Sequence, residues 1–227
     1  MRKLAYIIFI AVCMASCSTG TNLTRQKNYP RMYEEKPLSI LIMPPINNTV
    51  DVDAKEYFYT SMAQPLCEKG YYVISPFIAM DFMKSESAYD SELFINGDLT
   101  PFYNILGADA VLFTVINKWE KSTMGGRITV NIEYILKSAK TREVLFERKG
   151  ELVLDSSINS GTGGALGALV ELAAASIKTA LTDKVVAARR CNTFILKDLP
   201  EGRYSSMFEK DQNVPADQTA ISGVVKN

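Results

Sequence analysis

The chain has 227 residues, no histidine and a single tryptophan. Without imidazole there can be no Ser-His-Asp or Cys-His nucleophile pair, no histidine general base and no metal site of the usual histidine kind. A charge excess is missing too: 25 Lys and Arg balance 25 Asp and Glu, and no basic stripe gathers anywhere, so nucleic acid is not an expected partner. Long apolar runs are also lacking, since none reaches the ~20 uninterrupted residues of a spanning helix. What remains is ordinary globular composition, 47% apolar and 22% charged, with one compact domain as the expectation.

The amino terminus reads as an address. Arg2 and Lys3 precede an apolar run from Leu4 to Met14, followed by small residues Ala15 and Ser16 and then Cys17, the layout of a secretory signal. Met14-Ala15-Ser16-Cys17 resembles a lipobox, whose cysteine is acylated and becomes the first residue after cleavage. Several acyl chains on one cysteine hold a protein on a bilayer where a single chain is marginal. By resemblance to bacterial lipoproteins, Ser18 after the cysteine points to the outer membrane, with the body facing the periplasm. Residues 1–16 are thus a signal peptide and 17–37 a polar lipidated tether; an α/β domain over 38–196 and a polar tail over 197–227 follow. Once Cys13 leaves with the signal and Cys17 carries lipid, Cys67 and Cys191 remain in a compartment that permits disulfides. They are either bonded to each other or two thiols packed as small apolar groups.

The body opens with Leu38-Ser-Ile-Leu-Ile-Met43, a nearly continuous apolar run stopped by Pro44-Pro45, as expected of a strand buried on both faces. Asp53 and Glu56 form a capping-box pattern opening a helix, with Tyr57, Met62 and Leu66 inward, a kink at Pro65 and a stop before Gly70. Tyr71–Ile74 is the next strand. Short helices are expected over Pro76–Lys84 and after Asp98 or Thr100 up to Gly107. Ala110–Ile116 is apolar on both faces. Arg127–Leu136 alternates, with Ile128, Val130, Ile132, Tyr134 and Leu136 on one side, and Val144–Leu154 completes an antiparallel meander. A helix from about Gly163 to Arg190 closes the chain. The order is β-α-β-α-α-β-β-β-α: a single α/β domain with a mixed sheet, two early strands plus the three-stranded meander, covered by helices.

Few residues suggest chemistry. The glycines at 161–167 are not followed by Lys-Ser/Thr and do not leave a parallel strand, so they are no phosphate loop. Gly163 and Gly167 instead offer a small-residue face, packing on the sheet or on a second copy in a homodimer; Glu171 and Lys178 argue against a membrane span. Asp51, Asp53, Asp81 and Asp109 are candidate acids, but nothing in their spacing makes them converge, and calcium-loop spacing is absent. No catalytic residue, cofactor or metal is expected.

Four segments, in order, carry a family resemblance: Pro37-Leu-Ser-Ile-Leu-Ile-Met-Pro-Pro-Ile-Asn-Asn-Thr49, Pro65-Leu-Cys-Glu-Lys-Gly-Tyr-Tyr-Val-Ile74, Leu106-Gly-Ala-Asp-Ala-Val-Leu112 and Asn159-Ser-Gly-Thr-Gly-Gly-Ala-Leu-Gly-Ala168. They resemble the bacterial lipoproteins grouped as domain-of-unknown-function family 799, which includes a neisserial lipoprotein antigen. The likeness spans nearly the whole mature chain, departing at Ser85–Asn96 and after Arg203. It implies a tethered periplasmic domain similar in fold to the amino-terminal domain of the Tol-Pal translocation protein and to the curli secretion lipoprotein, in envelope transport or assembly, with no catalytic residues to carry over. The expected role is therefore an interaction module binding an envelope protein, a curli-like secretion lipoprotein among the candidates. Its expected contact surface is Pro44, Pro45, Asn47 and Asn48, at the carboxyl end of the first strand. Two alternatives stand beside it. One is a subunit of an oligomeric curli-like pore, using the hairpin of Val111–Trp119 and Arg127–Leu136; the other is a lipoprotein activator of a peptidoglycan synthase.

Overall fold

The computed structural model describes residues 23–85, 90–122, 127–155, 184–217 and 219–226. Cys17, Gly163 and Gly167, with the helix expected over 163–183, lie outside them. Among the described residues seven strands form one mixed sheet: β1 (Ser39–Ile42), β2 (Ile46–Asn47), β3 (Tyr72–Ile74), β4 (Ala110–Lys121), β5 (Arg127–Ser138), β6 (Val144–Asp155) and β7 (Ala220–Lys226). Their order is β3-β1-β4-β5-β6-β7, with β2 beside β4. The pairs β3/β1, β1/β4, β2/β4 and β6/β7 are parallel, and the meander β4-β5-β6 is antiparallel.

The helices are α1 (Arg25–Asn28), α2 (Pro30–Glu35), α3 (Ala54–Ser61), α4 (Ala63–Glu68), α5 (Pro76–Ser85), α6 (Glu92–Ile95), α7 (Thr100–Leu106) and α8 (Lys184–Leu196). One core unites Ile40, Leu112, Val130 and Tyr134 of the sheet with Phe58 of α3, Leu66 of α4, Met62 between them, and Cys191 and Ile195 of α8. The other side of β1 and β4 (Leu41, Met43, Val111, Phe113) packs under α5 and α7 through Ala79, Met83 and Phe102. Hence β1 and the first half of β4 are apolar on both faces, whereas β5 alternates. A register shift between Ile116 and Lys118 breaks the alternation of β4. That bulge turns Trp119 to the same core as Ile116, edge-on to Phe58 at 5.3 Å.

Between α3 and α4 the helix breaks at Met62. Pro65 is the cause: it has no N–H for the Ser61 carbonyl four residues earlier, and its ring crowds that carbonyl. The expected capping box does not form. Asp53 takes the cap position without a side-chain cap bond; its carboxylate accepts from Tyr57 Oη at 3.2 Å instead.

Two boundaries move. The expected tether over 17–37 includes α1 and α2, and Tyr29 and Met32 are buried, with Tyr29 4.8 Å from the Phe146 ring. The expected tail over 197–227 supplies buried Leu199 and Asp211 and the strand β7. Both segments fold because they pair with each other. Arg25 N donates to Val214 O at 2.9 Å and Ala216 N to Leu23 O at 2.8 Å, and no local periodicity announces contacts between such distant partners. Helix α8 runs to Leu196, six residues beyond the expected end at Arg190. Among the described residues no helix is long and apolar enough to cross a membrane.

Candidate functional site

Strand β1 ends at Ile42, and the chain passes through Pro44 and Pro45 into β2. Both prolines are buried, so they shape the connection but offer no surface, contrary to the expectation for them. Ser91 Oγ donates to the Pro44 carbonyl at 2.6 Å, tying the loop before α6 to this point. Asn47 is half-buried and spent on the loop itself: its Nδ2 donates to Asp51 O at 2.9 Å, and its Oδ1 accepts from Thr49 N and Thr49 Oγ1 at 3.1 and 2.8 Å. Asn48 is exposed, donating through Nδ2 to Asn117 Oδ1 at 3.0 Å. The residues this scaffold presents are Val50 and Val52, 99% and 79% exposed. Lys184, at the start of α8, holds the far side of the loop, 2.8 Å from Asp51 and above the Tyr57 ring.

Next to the loop, an open groove of about 150 Å³ runs between α3 and α5. Pro44 lies at its base, Tyr59, Met80 and Met83 give apolar wall, and Lys55, Glu56 and Lys84 edge it. Tyr59 Oη donates to Pro76 O at 2.8 Å, and burial, then the charge of Glu56, pushes its hydroxyl pKa upward. Methionines in an apolar trough with charged edges suit an amphipathic peptide segment better than a reacting small molecule.

The candidate acids stay apart. Asp109 sits at the amino end of β4, where its Oδ2 accepts from Leu38 N at 3.0 Å and Ser39 N at 3.2 Å, fixing how β1 enters the sheet. Asp51 and Asp53 stand at the opposite, carboxyl end of β1, and Asp81 is exposed on α5. Among the described residues no group of three or more acids or cysteines is placed to hold a metal ion. Cys67 and Cys191 are both free: Cys67 is exposed on α4, whereas Cys191 is turned into the core by α8. The two are not bonded in this structure, one lying at the surface and the other in the core. Burial pushes the Cys191 thiol up to about 12.

Two features of the structure are not among the sequence expectations. Val50 and Val52 were visible as an apolar pair inside a polar loop, a signal that could have been used. The other is a buried ionic cluster where the chain ends meet. Arg25 Nη1 lies 2.9 Å from Asp211 Oδ2, Asp211 also accepts from Tyr33 Oη and Glu201 N, and Asp198 accepts from Tyr29 Oη at 2.7 Å. Nearby, fully buried Arg148 donates to Ile195 O at 2.8 Å and to Asp217 Oδ2 at 3.1 Å. No spacing rule could have joined these residues.

A family model described as "Putative lipoprotein GNA1162-like" matches residues 27–201. The Neisseria meningitidis serogroup B protein named "Putative lipoprotein NMB1124/NMB1162" is 27% identical over 180 residues, which is 78% of this chain and 83% of the relative. Among solved structures, lipoprotein GNA1162 from Neisseria meningitidis matches with 22% identity and a TM-score of 0.47, over 62% of this chain and 96% of that one. A PelC dodecamer from Paraburkholderia phytofirmans matches with 16% identity and a TM-score of 0.41, over 70% of this chain and 85% of that one.

Proposed function

Because this chain belongs to the GNA1162-like lipoprotein family, we propose that it is an outer-membrane-anchored, periplasm-facing lipoprotein whose α/β body is a protein-interaction module in envelope transport or assembly. The observation that carries the reading is the pair Val50 and Val52, held exposed on a loop fixed by Asn47, Asn48 and Asp51 beside the α3–α5 groove. A rigid loop loses little entropy on binding, and its apolar tips supply the buried contact around which a polar rim can close. The partner surface is therefore assigned to Val50, Val52 and the groove, with Asn47 and Asn48 positioning them and Pro44 and Pro45 beneath.

In-cell photocrosslinking tests this. A photoreactive residue at Val50 or Val52 should give a discrete adduct with an envelope protein, and one at Arg142, in the exposed turn at the opposite end of the sheet, should not. Placing Asp at both valines should remove the adduct formed from a probe at Met80. An adduct from Arg142 alone, or one from Met80 that survives the double substitution, would overturn the assignment; an adduct with a second copy of this chain would make the surface a homodimer contact.

A further inference from the structure

The first described residues lie close in sequence to Cys17. Leu23 and Thr24 are already stitched to residues 214–216, through Ala216 N to Leu23 O and the Thr24–Pro215 bridge. Seven residue steps separate Cys17 from Thr24, and even fully extended they span no more than about 25 Å. If Cys17 carries the lipid, as proposed above, the part of the body next to Thr24 is confined to the neighbourhood of the bilayer.

What lies next to Thr24 is a compact loop over 201–211, closed at its base by Arg25. Glu201 N donates to Asp211 Oδ2 at 2.9 Å, and Arg25 Nη1 donates to the same oxygen. The loop is pinned rather than loose: Gly202 N and Tyr204 N donate to Lys69 O and Gly70 O, and half-buried Phe208 lines a small pocket with Met32 and Tyr71. Outward it shows Tyr204, 69% exposed, and Met207, 46% exposed. Arg203 and Lys210 flank them, and Lys27 is exposed on α1. None of these three cations has a carboxylate partner among the described residues. A tyrosine and a flexible apolar side chain between unpaired cations form a surface suited to the headgroup layer of an anionic bilayer.

We propose that the loop Arg203–Lys210, together with Lys27, rests on the anionic lipid surface that carries the anchor. The body then lies at the bilayer. The loop sits by Gly70 and Leu38, at the amino end of β1, while Val50 and Val52 project from the carboxyl end, so docking turns the partner surface away from the membrane. Such a body meets partners at its own membrane and does not reach far from it.

The test uses acylated full-length protein purified from cells and reconstituted into vesicles of phosphatidylcholine with or without phosphatidylglycerol. In a Cys67→Ser background, an environment-sensitive fluorophore is attached at Met207→Cys or, for comparison, Val50→Cys. The probe at 207 should shift to the blue on anionic vesicles and be quenched by a headgroup-level quencher, with no change for the probe at 50. Arg203→Glu with Lys210→Glu should abolish the response at 207 while the protein still floats with the vesicles. A protein that floats with an unshifted probe at 207, or with equal shifts on neutral and anionic vesicles, would overturn the docking and leave the anchor standing. A protein that fails to float would sink the anchor and the docking together.

Discussion

Arg25 and Asp211 meet at 2.9 Å across 186 positions of sequence, with the Asp211 side chain 2% exposed and that of Arg25 11%. This pair joins α1 to the carboxyl-terminal segment. Asp211→Ala would take the shortest carboxylate contact from Arg25, which keeps Glu201 at 3.6 Å, Asp198 at 3.9 Å and the Lys197 carbonyl, and would leave the Glu201 N–H and the Tyr33 hydroxyl without their acceptor, at a cost of about 1–3 kcal/mol. Urea unfolding of the soluble body should show that loss, and Asp211→Asn, which keeps an acceptor, should lose less. Removing residues 212–227 should also destabilise the body strongly; an unchanged midpoint would mean that β7 and the 212–216 pairing contribute nothing.

Gly70 and Gly202 let the 201–211 loop press against the turn after α4. Gly70 has φ +81, and a Cβ there would stand 2.4 Å from Ser205 N; a Cβ on Gly202 would stand 2.4 Å from Gly70 O. Gly202→Ala should cost about 1–3 kcal/mol through overpacking, and Gly70→Ala more, since backbone strain adds to the clash. Gly107 supplies the control, because its φ is +69 but nothing lies within 4 Å of its added Cβ. Gly107→Ala should show the left-handed penalty alone, about 1–2 kcal/mol. No loss at Gly202, together with a loss at Gly70 no larger than that at Gly107, would show that the contact between loop and turn has no energetic weight.

Thiol accessibility checks the cysteine assignment. In the folded body a thiol reagent at pH 8 should modify Cys67 quickly and spare Cys191 until the protein unfolds, since Cys191 is buried and its thiol is pushed up to about 12. Mass spectrometry of non-reduced protein that finds a Cys67–Cys191 crosslink would contradict the packing of α8.

Acid should weaken the same corner of the molecule. Asp217 is held below the usual 3.8 by its hydrogen bond from Lys197, then by the charges of Lys197 and Arg148. A carboxylate with a depressed folded pKa contributes stability that is fully present above 3.8 and is lost as pH falls through the folded value. Asp217 is half exposed, so the effect is modest. Asp217→Asn should flatten the stability profile below about pH 4, the range where this group titrates; an identical acid slope in both proteins would assign the titration to other groups.

Much of the sheet was legible in the sequence because burial on one or both faces writes itself as periodicity. The alternation from Ile128 to Leu136 and the two-sided run from Ala110 to Ile116 placed β5 and β4, and Pro65 marked the break beside Met62. What stayed hidden depends on partners far along the chain. Tyr29 and Met32 are two apolar residues in a polar stretch, too few to show a period, and they are buried only because Phe146 and the carboxyl-terminal segment arrive over them. Strand β7 is specified by its register on Lys149–Asp155 rather than by its own composition. At the candidate site, the position after β1 was legible from the buried strand and the Pro-Pro stop. Which side chains face outward there was not, because the outcome turns on hydrogen bonds of Asn47 and Asn48 that fold the loop back and leave Val50 and Val52 at its tip.

The envelope role and the nearness of the body to the bilayer both need an acyl anchor at Cys17. Metabolic labelling with an alkyne fatty acid, followed by separation of inner and outer membranes, tests it directly. The wild-type protein should carry label and sediment with the outer membrane, and Cys17→Ser should carry none and lose its membrane association. Equal labelling of both proteins, or an unlabelled wild type in the soluble fraction, would contradict it.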